Sequence, residues 1–340
     1  MDRGGCAYFR VHMPMKYIEK YGFEKVETNI MDLENISWSA DECKGGLAIL
    51  QRQYGESNYK IAESMKKSGV KLIFELDDWL HGVEKKNKAY EVYKPGAPVH
   101  DRLYKFYELC DAITVSTKPL REKLLKYNKN IYVVPNSFIL SDWKIDKVKH
   151  NTINILWTGS STHYPDLAET EVANAIKAIL NKYPNTKLIT AGWHGDDIFR
   201  DIPGYRRIHY PWTVNINEIS KFNRLGDIGI APIKKCDFNL CKSSNKYVEY
   251  SLSGLPTIAT KFGPYQEAIN NMEDGLLVKN KFNNWYKAIE KLVLDSEMRD
   301  ELSKKAKEKC IKKYDIEKNI INWVKVYNKI LGLPENDGID

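Results

Sequence analysis

Short, continuously apolar β-rich runs alternate with helical patterns along almost the whole chain, and this alternation constrains the fold more than any other feature. KVETNI, GLAILQ, VKLIFEL, AITVST and IYVVPN come first; INILWTG, KLITAGW, RRIHY, DIGIAPI and PTIAT follow. Between them lie patterns of helical period such as PLREKLLKY, EVANAIKAILNKY and INEISKFNRLG. Strands that are apolar throughout must be covered on both faces, and alternating helices supply the cover, so the sheets are expected to be parallel. The polar segment Ser141–Thr152 separates the two series, and 340 residues exceed one typical core. The expected fold is α/β, with two doubly wound Rossmann-like domains over residues 1–145 and 150–315.

Two segments sit outside that plan. Gly4-Gly5 reads as a strand-to-helix loop with AYFRVHMPMKYIEKYG as its helix, yet no strand precedes it. The first domain is therefore expected to lack its usual first strand. From Trp285 to Leu331 the pattern is helical, and NIINWVKVYNKIL carries an amphipathic stripe. Residues 316–332 are expected to pack back on the body, with a peripheral membrane contact as the alternative use of that stripe.

Composition narrows the class. Hydrophobic residues make up 43% and charged residues 29%, with no apolar run near the ~18 residues of a transmembrane helix. MDRGGCAYFR has no apolar core of a signal peptide, so a cytoplasmic protein is expected. The six cysteines form no C-x-x-C pair, which speaks against a zinc ribbon or a disulfide scaffold, and no metal is expected. A net charge of +7 suits acidic partners: nucleotide phosphates, anionic lipid or nucleic acid.

Ligands of doubly wound sheets bind outside the carboxyl ends of the strands, so those ends hold the candidate residues. Gly5 can let a ligand approach the backbone. Arg52, in QRQ after an apolar run, can bind an anion. Asp77 and Asp78 follow KLIF directly; as a pair they can hold sugar hydroxyls, act as a base or bind a metal, or else form a turn and cap a helix. WTGSSTHYPDL places Gly159, Ser160, Ser161 and His163 in a loop suited to a phosphate, although it is neither a Walker A nor a G-x-G-x-x-G motif.

The most specific stretch is KSSNKYVEYSLSGLPTIATKFGPYQEAI, from Lys242 to Ile269. Ser243 or Ser244 can cap a short helix, and Gly254 can end it in the left-handed conformation. Gly263-Pro264 is expected to turn the chain after the strand PTIAT. Lys246 and Glu249, three apart, share one helix face, with the lysine in the first turn. A cation there opposes the helix dipole unless an anion binds, and an anion would meet the lysine and free backbone N–H groups together. A solvated surface pair is the plain alternative.

This stretch, with DGLLV after it, resembles the C-terminal domain of retaining GT-B glycosyltransferases, particularly glycosyltransferase family 4. The matching positions are Lys246, Glu249, Gly254, Pro256, Gly263 and Glu267. FELDDWL, ITVST, YVVPN, WTGSSTHYPDL and FNLCKSSNKYVEY resemble a bacterial and phage subgroup. The resemblance implies two Rossmann-like domains facing a central cleft. It implies a nucleoside diphosphate sugar as donor, a UDP-sugar by family habit, with no cofactor required. Glu249 takes the place of the second glutamate of the E-x7-E signature, a ribose ligand, and Lys246 that of a diphosphate ligand, beside Lys242, Ser243 and Gly263. The first glutamate is replaced by Cys241. Asp77 and Asp78 stand where the first domain's catalytic-site histidine is expected; with Arg52 they form the acceptor side. A polysaccharide, a lipid-linked glycan and a modified phage DNA base all remain open as acceptor. So do two other functions: a GT-B sugar-nucleotide epimerase, and a non-catalytic protein binding nucleic acid or glycan, for which Cys241 speaks.

Overall fold

The computed structural model describes residues 4–21, 44–144, 146–192, 196–213 and 215–334, and its strands fall into two sheets. The first contains β1 (Leu47–Gln51), β2 (Lys71–Leu76), β3 (Ala112–Val115) and β4 (Ile131–Val133), in that order. The second contains β5 (Ile153–Gly159), β6 (Thr186–Gly192), β7 (Arg207–Pro211), β8 (Ile228–Ala231), β9 (Thr257–Thr260) and β10 (Leu276–Val278). Every neighbouring pair is parallel. The run KVETNI lies outside the described residues. β10 was not among the expected strands, because three residues are too short to show a period.

The second sheet has the order β10-β9-β8-β5-β6-β7. The chain builds outward from β5 on one side and then restarts at β8 on the other. β5 and β8 pair through Ile155–Ile228 and Leu156–Gly229, short of their carboxyl ends. Beyond that pairing the two connections leave in opposite directions and open a crevice.

Helices cover both sheets. In the first domain α1 (Gly5–Ala7) runs through a π-helical turn, Tyr8–His12, into α2 (Met13–Lys20). Pro14 has no N–H for the carbonyl four residues back, and the widened turn falls just before it. α3 (Glu56–Lys67), α4 (Pro98–Leu109) and α5 (Lys118–Leu124) complete that layer. The second domain has α6 (Val172–Lys182), α7 (Ile216–Asn223), α8 (Asn245–Leu252), α9 (Gly263–Ala268) and α10 (Phe282–Leu294). α11 (Ser296–Tyr314) and α12 (Ile316–Leu331) end the chain. The stripe Ile316, Ile320, Trp323, Val324 and Tyr327 is buried, and α12 packs against α2. The chain thus leaves the first domain, builds the second, and returns to cover the first. Among the described residues no helix is long and apolar enough to cross a membrane.

Several polar contacts tie the domains together. Arg10, fully buried, donates to Glu75 Oε1 (2.7 Å) and to Asn136 Oδ1 (2.9 Å), with its guanidinium 4.5 Å over the Trp323 ring. Burial pushes the Glu75 carboxyl up to about 7, against the opposing pull of Arg10. The Asn136 amide in turn donates to Ser243 Oγ (3.2 Å) and Asn245 Oδ1 (3.1 Å) at the start of α8. Further out, Lys234 pairs with Glu84 of the first domain (2.8 Å) and Glu169 of the second (3.0 Å). Cys241 makes an apolar link: it is wholly buried in the first domain's cluster with Leu80, Leu120 and Leu124. Its carbonyl accepts from Thr117 Oγ1 at 2.7 Å.

Candidate active site

A cavity of about 520 Å³ lies between the two domains, at the carboxyl ends of β1, β2 and β5 and beside the crevice between β5 and β8. Its second-domain wall is built on α8. The Tyr250 hydroxyl fixes this helix, accepting from the Thr158 N–H (3.1 Å) and donating to the Ile230 carbonyl (3.3 Å), one contact at the end of each strand. Gly254 has φ +75° just after the helix, as a left-handed terminus requires. Ser244 occupies the N-cap, but its hydroxyl makes no capping bond, a correction to the expected cap.

Lys246 and Glu249 both line the cavity from this helix. The Lys246 ammonium has no hydrogen bond or ion pair among the described residues; it lies 6.0 Å from the Trp157 ring. Glu249 as a residue is 8% exposed, and its carboxylate likewise has no hydrogen-bond partner among the described residues. Burial lowers the Lys246 pKa and raises that of Glu249, each partly offset by the charge of the other. They are therefore not the solvated ion pair that the spacing also allowed.

The loop after β5 forms the floor, with Gly159, Ser160, Thr162 and His163 on the cavity. A side chain at Gly159 would sit 2.7 Å from the Trp157 ring, so this turn needs glycine. The Ser160 and Thr162 hydroxyls share a 2.7 Å hydrogen bond. The side chain of Ser161 lies outside the described residues. His163 Nδ1 donates to Asp166 Oδ2 at 2.9 Å, and Asp166 Oδ1 accepts from the Lys234 N–H and Asn239 Nδ2, both at 2.8 Å. Burial alone would raise the Asp166 carboxyl; Lys242, 4.0 Å away, and His163 outweigh it and hold it at about 2. Burial, with Lys246 and Lys242 nearby, takes His163 down to about 4. At neutral pH the imidazole is thus uncharged, with its proton on Nδ1 and Nε2 left as an acceptor.

Lys242 and Ser243 line the cavity beside α8. Gly263 does not. It has φ +51° at the start of α9, and its neighbours Pro264 and Tyr265 are the ones that reach the cavity wall. The expected turn at Gly263-Pro264 is the first turn of that helix.

The first-domain wall contains Gly5, Cys6 and Phe9 from the opening helix, with Arg52, Asp77, Asp78, Leu80, Val83 and Tyr93. Here the structure corrects the sequence. Arg52, expected as an anion ligand of the acceptor side, is bound to both aspartates: Nε to Asp77 Oδ1 at 2.8 Å, Nη2 to Asp77 Oδ1 at 2.7 Å and to Asp78 Oδ2. Asp77 and Asp78 are therefore not two open carboxylates. Cys6 Sγ and one oxygen of each aspartate lie within 4.8 Å of one another, a donor set a metal could share only by competing with Arg52. Burial, then Asp77, raise the Cys6 thiol well above its ordinary pKa, so it stays protonated.

Three groups escaped sequence reasoning. Asp166 was within reach, three residues after His163 and so on the same face of a helical turn. Asn136 gave no local signal, since its partners Ser243 and Asn245 are more than a hundred residues away. Trp212, half-exposed at the end of β7, lines the cavity with Ile219 and Phe222.

Two parallel-sheet Rossmann-like domains facing a cleft define the GT-B architecture, and solved structures of that class match the chain. TarM from S. aureus, solved as a point mutant with fondaparinux, α-GlcNAc-glycerol and UDP, aligns with a TM-score of 0.63 at 15% identity, over 85% of this chain and 57% of its own. Sucrose-phosphate synthase from Thermosynechococcus elongatus aligns with a TM-score of 0.62 at 15% identity, over 84% of this chain and 74% of its own. HepE from Anabaena, solved with UDP-glucose, gives 0.58 at 12% identity, over 84% and 77%. The chain spans less than two thirds of TarM's length. In sequence, residues 152–295 match the family described as Glycosyl transferases group 1. No curated protein sequence matches the chain.

Proposed function

We propose that this chain is a family 4-like, retaining glycosyltransferase that moves a sugar from a nucleoside diphosphate sugar, UDP-linked, to a hydroxyl acceptor in the cytoplasm. One observation carries the proposal: Lys246 and Glu249 present an unpartnered ammonium and an unpartnered, nearly buried carboxylate into one cavity from one helix face. A buried charge without a partner is costly, and a ligand bringing anionic phosphates and hydroxyl donors would satisfy both groups at once. The structures of TarM with UDP and HepE with UDP-glucose support UDP as the carrier.

In this reading Lys246 and the free N–H groups of the first turn of α8 face the diphosphate, where negative charge grows as the sugar departs. Glu249 accepts from the ribose hydroxyls. Gly159, Ser160, Lys242, Ser243 and the Nε2 of His163 line the donor's path. A retaining transfer lets the acceptor hydroxyl attack on the leaving-group face, so no strong base is needed, and Asp77 and Asp78 orient the acceptor. Cys241, which speaks for a non-catalytic protein, is packed in the first domain's core and is not among the residues lining the cavity.

Isothermal calorimetry against UDP, GDP, ADP and their sugars tests the proposal. Binding of one nucleotide is expected, weakened in Lys246→Ala and in Glu249→Ala. Failure of every nucleotide to bind would sink it.

A further inference from the structure

The same cavity points to a class of acceptor, an inference that rests on the glycosyltransferase reading. Glu249, more than nine-tenths buried and unpartnered, marks the cavity as a ligand site independently of the first-domain wall. The cations Lys242 and Lys246 stand on the second-domain wall, leaving the facing wall for the second substrate.

Among the described residues, that facing wall carries three charged side chains: Arg52, Asp77 and Asp78. One guanidinium between two carboxylates leaves an excess negative charge, and the Nε and Nη2 of Arg52 are already spent on the aspartates. An anion entering here would find an excess of like charge, with only the Nη1 edge of Arg52 not bonded to the aspartates. A hydroxyl would find acceptors: Asp77 and Asp78 are 11% and 24% exposed, and a carboxylate can accept about four hydrogen bonds. Beside them Phe9, Leu80, Val83 and Tyr93 form an apolar surface, with Tyr93 braced edge-on against Tyr54 at 6.3 Å. Carboxylates for hydroxyls next to apolar surface for C–H faces is the chemistry of a sugar subsite.

We infer that the acceptor group entering this cleft is an uncharged sugar ring that donates its hydroxyls to Asp77 and Asp78, and that the wall selects against acidic acceptors. Uronates, sugar phosphates and nucleic-acid phosphates are disfavoured by the same excess charge.

The test uses the whole chain loaded with UDP and saturation-transfer NMR on matched pairs of p-nitrophenyl glycosides: glucoside against glucuronide, galactoside against galacturonide. The neutral member is expected to bind about tenfold more tightly or better, a preference of about 1.4 kcal/mol. In Asp78→Asn, Arg52 faces Asp77 alone, the excess charge is gone, and the preference should narrow towards parity. Raising the salt from about 50 to about 500 mM should narrow it in the unaltered protein, which keeps the test open if the variant folds poorly. Equal or tighter binding of the acidic member, no binding of either member, or a preference unmoved by both manipulations overturns the inference. UDP binding without a neutral preference defeats this inference alone; absence of nucleotide binding defeats the donor assignment beneath it as well.

Discussion

The two walls of the cleft handle charge in opposite ways. On the second domain, Lys246 and Glu249 are held by a helix whose own contacts run through Tyr250, and among the described residues neither has a hydrogen bond or close ion pair, only the partial offset each charge gives the other. On the first domain, Arg52, Asp77 and Asp78 answer one another. Groups left unanswered are poised for a ligand that brings complementary charge; groups already paired can shape a surface but have little electrostatic energy left to offer. Under the proposed function, the contrast fits a donor on one wall and an uncharged acceptor on the other.

Four experiments would break or sharpen that contrast. The largest effect should come from Lys246→Ala: losing one preorganised donor aimed at developing charge costs about 3 kcal/mol, so turnover should fall roughly a hundredfold with the fold intact by circular dichroism. Near-normal turnover would mean the second-domain wall is not where the charge is stabilised. Next, Arg52→Ala should act on stability more than on nucleotide affinity, because it leaves two partly buried carboxylates facing each other. About 2 kcal/mol of lost unfolding free energy in a urea titration, with an unchanged UDP affinity, is the expected pattern. A weakened UDP affinity at constant stability would show that Arg52 serves the donor after all.

Glu249→Ala ranks third, with UDP affinity down about tenfold, a loss near ~1.4 kcal/mol, read by calorimetry. The smallest effect is one of pH. Burial raises Glu249 above the ordinary carboxylate value of 4.5, so its ionised form is lost as pH falls through that raised value. Nucleotide affinity should therefore decline on acidification sooner in the unaltered protein than the phosphates alone dictate. Glu249→Gln should remove that part of the decline; identical pH profiles would show that the carboxylate is not the ribose ligand.

What the sequence disclosed follows the range of each interaction. Lys246 and Glu249 were legible because both lie within one helical turn. The strands β1 to β9 were legible because an apolar run is a local property. Arg52 and Asp77 are 25 residues apart and meet because β1 and β2 are parallel neighbours whose carboxyl ends coincide, Gln51 against Glu75 in register. No spacing rule reveals that pairing. The Arg10–Glu75–Asn136 line, which reaches the second domain through Ser243 and Asn245, was equally hidden, as was the π-helical turn that carries Arg10.

Cys241 carries a consequence of its own. The residue belongs to the second domain's chain, yet its side chain is embedded in the apolar core of the first. Any motion that parts the two domains must draw that sulfur out of its socket and wet it. The rate at which a thiol reagent modifies Cys241, followed by mass spectrometry of the peptide, would then count openings of the cleft. A nucleotide that holds the domains together should slow the count, turning this buried cysteine into a native reporter of how often this molecule opens.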